Sequence, residues 1–168
     1  MLLYIAGKVS KDSQFGTHHW RDAFVAQLAE LSSLKLSHLD PLAYESDRTY
    51  EPEFIFNKDC WLIDQVDCVV VYLSDDISVG GSQEMLIAKY LRKPLIGFAP
   101  LGGKFNQTEK EFLGRTITDY VDPFVHASCD VVASTIEDVA RALCNLPPQP
   151  KNISLIDRAI ERAQAVLG

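Results

Sequence analysis

Short apolar runs and amphipathic stretches alternate along this chain, and the alternation predicts strand–helix units. Leu2 to Ala6 and Asp67 to Leu73 hold continuous runs of apolar, largely β-branched or aromatic residues. Runs of that length suit strands covered on both faces. Leu95 to Ala99, ended by Pro100, reads as a further strand, and Asp130 to Ala133 as the last. A short extended segment, Leu36 to Leu39, closes at Asp40-Pro41. Between these lie helical patterns. His18 to Leu34 carries Trp20, Phe24, Leu28 and Leu31 at spacings of four, four and three, one face of a helix. Glu53 to Gln65 predicts a second helix, and Ser82 to Arg92 a third that Lys93-Pro94 stops. Residues Leu42 to Glu51 are polar and turn-like. After the Gly102-Gly103 loop a helix is expected from Thr108 to Gly114, then one from Ser134 to Cys144. The Ser134-Thr135-Ile136-Glu137 start of the latter fits a capping box.

Strands that alternate with helices imply a parallel sheet with both faces covered. Right-handed crossovers then limit the topologies to a doubly wound α/β fold, expected as a flavodoxin-like five-stranded sheet; in the strand order 2-1-3-4-5 the ends of strands one and three lie side by side. One domain is expected over residues 1–146. Residues 147–168 are a Pro-rich spacer and a final helix, Ser154 to Leu167, whose Leu155, Ile156, Ile160 and Ala163 pack on the domain or on a partner subunit.

Composition narrows the partners. The chain has 168 residues, 47% hydrophobic and 23% charged, with a net charge of −7, and a pI near 5.0. An acidic balance argues against a nucleic-acid polymer as partner, and no apolar run approaches a membrane span. Met1 to Ala6 is short, lacks a basic lead and reads as a first strand rather than a signal peptide. Cys60, Cys68, Cys129 and Cys144 have no C-x-x-C spacing, which fits reduced thiols in a cytoplasmic protein. His18-His19 has no companion cluster and reads as a solvated helix start.

The candidate chemistry centres on two acids. Glu84 follows Val79-Gly80-Gly81-Ser82-Gln83 at the start of the third helix, with Ser82 as the expected N-cap. Ligands of such sheets sit beyond the carboxyl ends of the strands, so Glu84 is expected to face a crevice. A helix N-terminus favours its ionised form. The structural alternative is a solvated glutamate that stabilises its helix. Asp59 shares an apolar stripe with Ile55, Leu62 and Val66, where a charge needs a partner or a purpose; a salt bridge or cap is the alternative. Two convergent carboxylates are the equipment for glycosidic cleavage, one attacking and the other, less ionised, donating a proton.

On these residues the sequence resembles the nucleoside 2-deoxyribosyltransferase family, which includes nucleotide N-glycosidases that hydrolyse 5′-monophosphates. The matching positions are Tyr4 with Gly7, Asp59-x-x-x-Ile63-x-x-x-Asp67, Gly80-x-x-x-Glu84-x-x-x-Ala88 and Lys104-x-Asn106. The similarity spans Leu2 to Asn106. It implies that Glu84 is a nucleophile forming a glycosyl intermediate, that Asp59 assists the departing base, and that Tyr4 orients Glu84. It also implies that Asn106 reaches the pocket of a neighbouring subunit in a homo-oligomer. The alternatives are a buried strand aromatic for Tyr4 and a turn residue for Asn106. The implied partners are a small nucleoside or nucleotide and a free nucleobase, with neither metal nor organic cofactor required.

One departure bears on specificity. Transferases of this family commonly carry an aspartate six residues before the nucleophile, and this chain has Ser78 there. The nucleotide-hydrolysing relatives tend to have serine at that point, in contact with a 5′-phosphate. Lys8, Ser10 and Lys11 follow the first strand, where a phosphate could sit, but the arginine-bearing, glycine-rich loop of those hydrolases is absent.

Overall fold

The structure, a computed structural model, describes residues 1–7, 19–44 and 51–167. Lys8, Ser10, Lys11 and His18 lie outside the described residues, as does most of the polar 42–51 stretch. The strands are β1 (Leu2–Gly7), β2 (Ser37–Leu39), β3 (Cys68–Tyr72), β4 (Leu95–Phe98), β5 (Asn106–Phe112), β6 (Arg115–Val121) and β7 (Val131–Ala133). The helices are α1 (Trp20–Ser32), α2 (Pro52–Gln65), α3 (Val79–Tyr90), α4 (Pro123–Ser128), α5 (Ile136–Cys144) and α6 (Leu155–Leu167), and Pro41–Tyr44 forms a 3-10 turn.

Five strands pair in parallel in the order β2-β1-β3-β4-β7, which is the expected 2-1-3-4-5 arrangement with a hairpin inserted before its last member. The period of two along each strand divides the core between two faces. Leu3, Ile5, Val70, Tyr72, Ile96 and Phe98 pack with Trp20, Phe24 and Leu28 of α1 and with α5. Tyr4, Ala6, Val69, Val71 and Leu95 face the other way, against Leu62 and Ile63 of α2, Met85 and Ala88 of α3, and Val125 of α4. Tyr4 therefore leaves β1 on the side of α2 and α3, the helices that carry Asp59 and Glu84. A buried ion pair ties this face together. Lys89 Nζ of α3, wholly buried, lies 2.5 Å from Asp130 Oδ2, and Asp130 also accepts from the backbone N–H groups of Leu95 at 2.7 Å and Lys151 at 2.6 Å.

Three expectations are corrected. The stretch from Thr108 to Gly114 is not a helix: β5 and β6 form an antiparallel hairpin with Lys110 opposite Ile117 and Phe112 opposite Arg115. Leu113 and Gly114, at φ 51° and 72°, supply the left-handed pair that a tight hairpin turn requires. Both faces of this ribbon are largely exposed, so no apolar alternation marked it. The third helix starts at Val79 rather than Ser82, because Ser78 Oγ accepts from Gly81 N at 3.0 Å and caps it. The cap of α5 is Thr135, whose hydroxyl accepts from Asp138 N, one residue beyond the expected Ser134.

The short helix α4 was not anticipated, although Asp122-Pro123 is a helix-start signal. Asp122 Oδ1 accepts from Phe124 N at 2.9 Å and Val125 N at 3.2 Å. No residue of α6 is buried, and Ile156 and Ile160 are exposed.

Candidate active site

The site forms where β1 ends beside β3, because two elements on the same face bring acids to it. Tyr4 is fully buried, and its hydroxyl donates to Glu84 Oε1 at 2.9 Å. Glu84 and Asp59 line one hollow of about 180 Å³, together with Pro52, Ile55, Phe56, Gly80, Gln83 and Ile87. Gly80 opens onto this hollow, where a Cβ would meet only Ser78 Oγ at 3.8 Å. A second, apolar hollow of about 370 Å³ shares Phe56 and Ile87 with it. A larger one, about 660 Å³, lies across β3 beside Phe98, Gly103 and Thr135 and contains neither acid. The chemistry is assigned by the carboxylates rather than by volume.

Gly7 closes β1 at φ 112°, and a Cβ there would stand 2.4 Å from the carbonyl oxygen of Tyr72. Only glycine permits that approach between β1 and β3.

Burial dominates the electrostatics. It raises the Glu84 carboxyl above its usual range; the Tyr4 hydrogen bond opposes this, Asp59 adds to it, and Arg21 and Lys58 oppose it. Because α3 begins at Val79, Glu84 sits in its second turn. There the N-terminal dipole has largely faded, so the ionisation expected from the helix end is replaced by desolvation. Burial also raises Asp59, against the pull of Lys58 and Arg21.

Asp59 Oδ1 is buried and has no hydrogen-bond partner among the described residues. Lys58 Nζ is 3.8 Å from it but donates to the Pro41 carbonyl at 2.8 Å. Tyr4 is held as a neutral phenol, its pKa raised by burial and by Glu84. The Cys68 and Cys129 thiols, pushed by burial to about 12, are protonated packing groups at neutral pH.

Tyr4, Asp59, Gly80 and Glu84 thus converge, while two other expected site residues, Ser78 and Asn106, are otherwise engaged. Ser78 Oγ is engaged as the cap of α3. Lys8 lies outside the described residues. Asn106, expected to be offered to a neighbouring subunit, is instead turned into its own chain. It is 7% exposed, and its Nδ2 donates to Ala99 O and Ser134 Oγ, each at 2.9 Å. That amide satisfies the carbonyl end of β4 where the hairpin leaves the sheet. Sequence reasoning missed Lys58 of α2, beside Asp59, and Arg21 of α1, whose positive charges favour the ionised site acids. Lys58 neighbours Asp59 in the chain, a signal that was available; Arg21 had none. Among the described residues no group of three or more His, Cys, Asp or Glu side chains is placed to hold a metal ion. No described helix is long and apolar enough to cross a membrane.

No protein-family model matches the chain, and no curated protein matches it. Solved structures do. A conserved protein from Enterococcus faecalis V583 superposes with a TM-score of 0.59 at 16% identity, over 86% of this chain and 98% of the other. A 2-deoxyribosyltransferase from Bacillus psychrosaccharolyticus gives 0.56 at 16% identity, over 89% of this chain and 98% of that enzyme. The 2-deoxyribosyltransferase of Leishmania mexicana gives 0.54 at 19% identity, over 84% and 96%. A parallel sheet in the order β2-β1-β3-β4-β7, matched nearly end to end by these proteins, gives this chain the fold of the nucleoside 2-deoxyribosyltransferases.

Proposed function

We propose that this protein is an enzyme that cleaves the N-glycosidic bond of a (deoxy)nucleoside and passes the sugar to another base. The observation that carries the reading is the Tyr4–Glu84 hydrogen bond beside Asp59 in one hollow. Glu84 Oε1 is engaged by Tyr4, leaving Oε2 to attack C1′ as the C1′–N bond breaks. The bonding pair departs with the base, which takes the proton held on Asp59. The missing hydrogen-bond donor at Asp59 Oδ1 and the upward pull of burial suit a carboxyl that carries that proton. A second base then attacks C1′, expels the Glu84 carboxylate and returns its proton to Asp59. Two inversions give net retention.

A second copy of the chain, laid over exposed Phe56, Leu86 and Tyr90 beside the hollow, completes the pocket, and α6 belongs to the same contact. Asn106 takes no part in it.

The test incubates the protein with a panel of nucleosides and 5′-monophosphates, with and without a free acceptor base. Acceptor-dependent exchange, lost by at least ~10³-fold in a folded Glu84→Gln variant, supports the transferase. Base release without an acceptor reassigns the protein as a hydrolase of nucleosides or monophosphates. Binding without turnover makes it a sensor, and an active Glu84→Gln protein removes the mechanism.

A further inference from the structure

The end of β1 has a gap in its ladder, and one side chain fills it. Successive carbonyls of a strand point to opposite edges. Met1 O accepts from Ser37 N on the β2 side, at 3.1 Å, and Leu2 O accepts from Asp67 N on the β3 side, at 2.8 Å. The carbonyls of Ile5 and Gly7 therefore face β2. That strand pairs only with Leu2, Leu3 and Tyr4 and stops at Leu39. Continuing the register in steps of two from Ser37 would call next on residue 41 to serve Ile5. Residue 41 is proline, which has no N–H to give. Arg21 of α1 donates instead, from Nε to Ile5 O at 2.9 Å and from Nη2 to Gly7 O at 3.4 Å.

We propose that Arg21 is a positioning residue for the Glu84 site. Its guanidinium takes the place of the missing strand donor, fixes the end of β1 behind Tyr4, and holds a permanent positive charge at that end of the strand. The inference rests on the reading of Glu84 as the reacting carboxylate.

The guanidinium suits this task because its fork can serve two carbonyls at once and does not lose its charge. It is 15% exposed, with Asp40 Oδ1 4.0 Å from Nη1, and it lies 4.8 Å from the Trp20 ring centroid. Those contacts hold the group in place. Among the described residues, the charged and titratable groups that act on Glu84 are Tyr4 of β1, Asp59 and Lys58 of α2, and Arg21 itself, which favours the ionised forms of Tyr4, Asp59 and Glu84 alike.

Two substitutions separate charge from geometry. Arg21→Gln keeps a donor and drops the charge. In it, the Glu84 carboxyl, followed by ¹³C NMR titration, is expected to move up, and the acid limb of kcat/KM to move with it. Arg21→Lys keeps the charge but not the fork. Its acid limb stays near that of the wild type, kcat falls by about tenfold with KM little changed, and amide exchange at Ala6 and Gly7 quickens. An unshifted Glu84 titration in folded Arg21→Gln overturns the electrostatic half of the proposal. Unchanged exchange at Ala6 and Gly7 in Arg21→Lys overturns the positioning half, and decides alone if Arg21→Gln does not fold. Titration and exchange need no turnover. A wild-type protein inactive on every nucleoside and monophosphate would thus defeat the functional reading while these measurements still judged Arg21.

Discussion

Tyr4→Phe removes one hydroxyl from a fully buried ring and leaves the packing of the ring in place. The lost contact is a 2.9 Å hydrogen bond to Glu84 Oε1, and a hydrogen bond to a charged acceptor is worth about 1.5–3 kcal/mol. At about 1.4 kcal/mol per pH unit, Glu84 in the variant should hold its proton roughly 1–2 pH units higher than in the wild type. Burial already raises that carboxyl, and the Tyr4 hydroxyl is the foremost group opposing it. The expected profile of kcat/KM against pH keeps its shape while its acid limb moves upward. Activity on the acid side drops by about 10- to 100-fold and recovers as pH rises. The assay is glycosyl exchange or base release followed from acid to alkaline pH, with circular dichroism to confirm the fold. A uniform loss at every pH would assign Tyr4 to orientation alone. Superimposable profiles would refute the reasoning, because they would mean that the hydroxyl does not favour the Glu84 carboxylate.

Both site acids titrate above their usual range when folded, so the native state binds more protons than the unfolded chain between the ordinary carboxyl range near ~4 and the raised values. Stability is therefore expected to fall as pH rises through that window. A folded Glu84→Gln or Asp59→Asn protein should melt higher than wild type at neutral pH, with the difference shrinking toward pH ~4; calorimetry across pH checks this. Replacing Lys89 by Met strands Asp130 in the interior beside the N–H groups of Leu95 and Lys151. Breaking a buried pair this way should cost about 3–5 kcal/mol in urea unfolding. Gly7→Ala places a methyl 2.4 Å from the Tyr72 carbonyl oxygen at a left-handed φ. A loss of at least ~1–3 kcal/mol is expected in the same assay, along with weakened Tyr4–Glu84 chemistry.

The sequence by itself determined the sheet. The apolar runs, the short extended segment at Leu36 to Leu39 and the helices between them limit the chain to a doubly wound parallel sheet, because buried parallel strands need crossovers and crossovers have one hand. Asp59 was also legible, as a charge on an apolar helical stripe, and Glu84 as an acid at a helix start beyond a buried strand; Tyr4 entered only through the family resemblance. What tertiary structure decided depends on contacts distant in the chain. The exposed hairpin of β5 and β6 buries neither face, so no pattern of apolar positions announced it, and its turn depends on Leu113 and Gly114 adopting positive φ. The start of α3 was set by which of two serines could reach a free N–H, and Ser78 rather than Ser82 does so. The ionisation of Glu84 follows from how much water the packed helices exclude, a property of the assembled site and not of one helix end. Arg21 gained its partners only because β2 stops at Leu39 and proline follows, a coincidence of three segments that no local reading of α1 could contain.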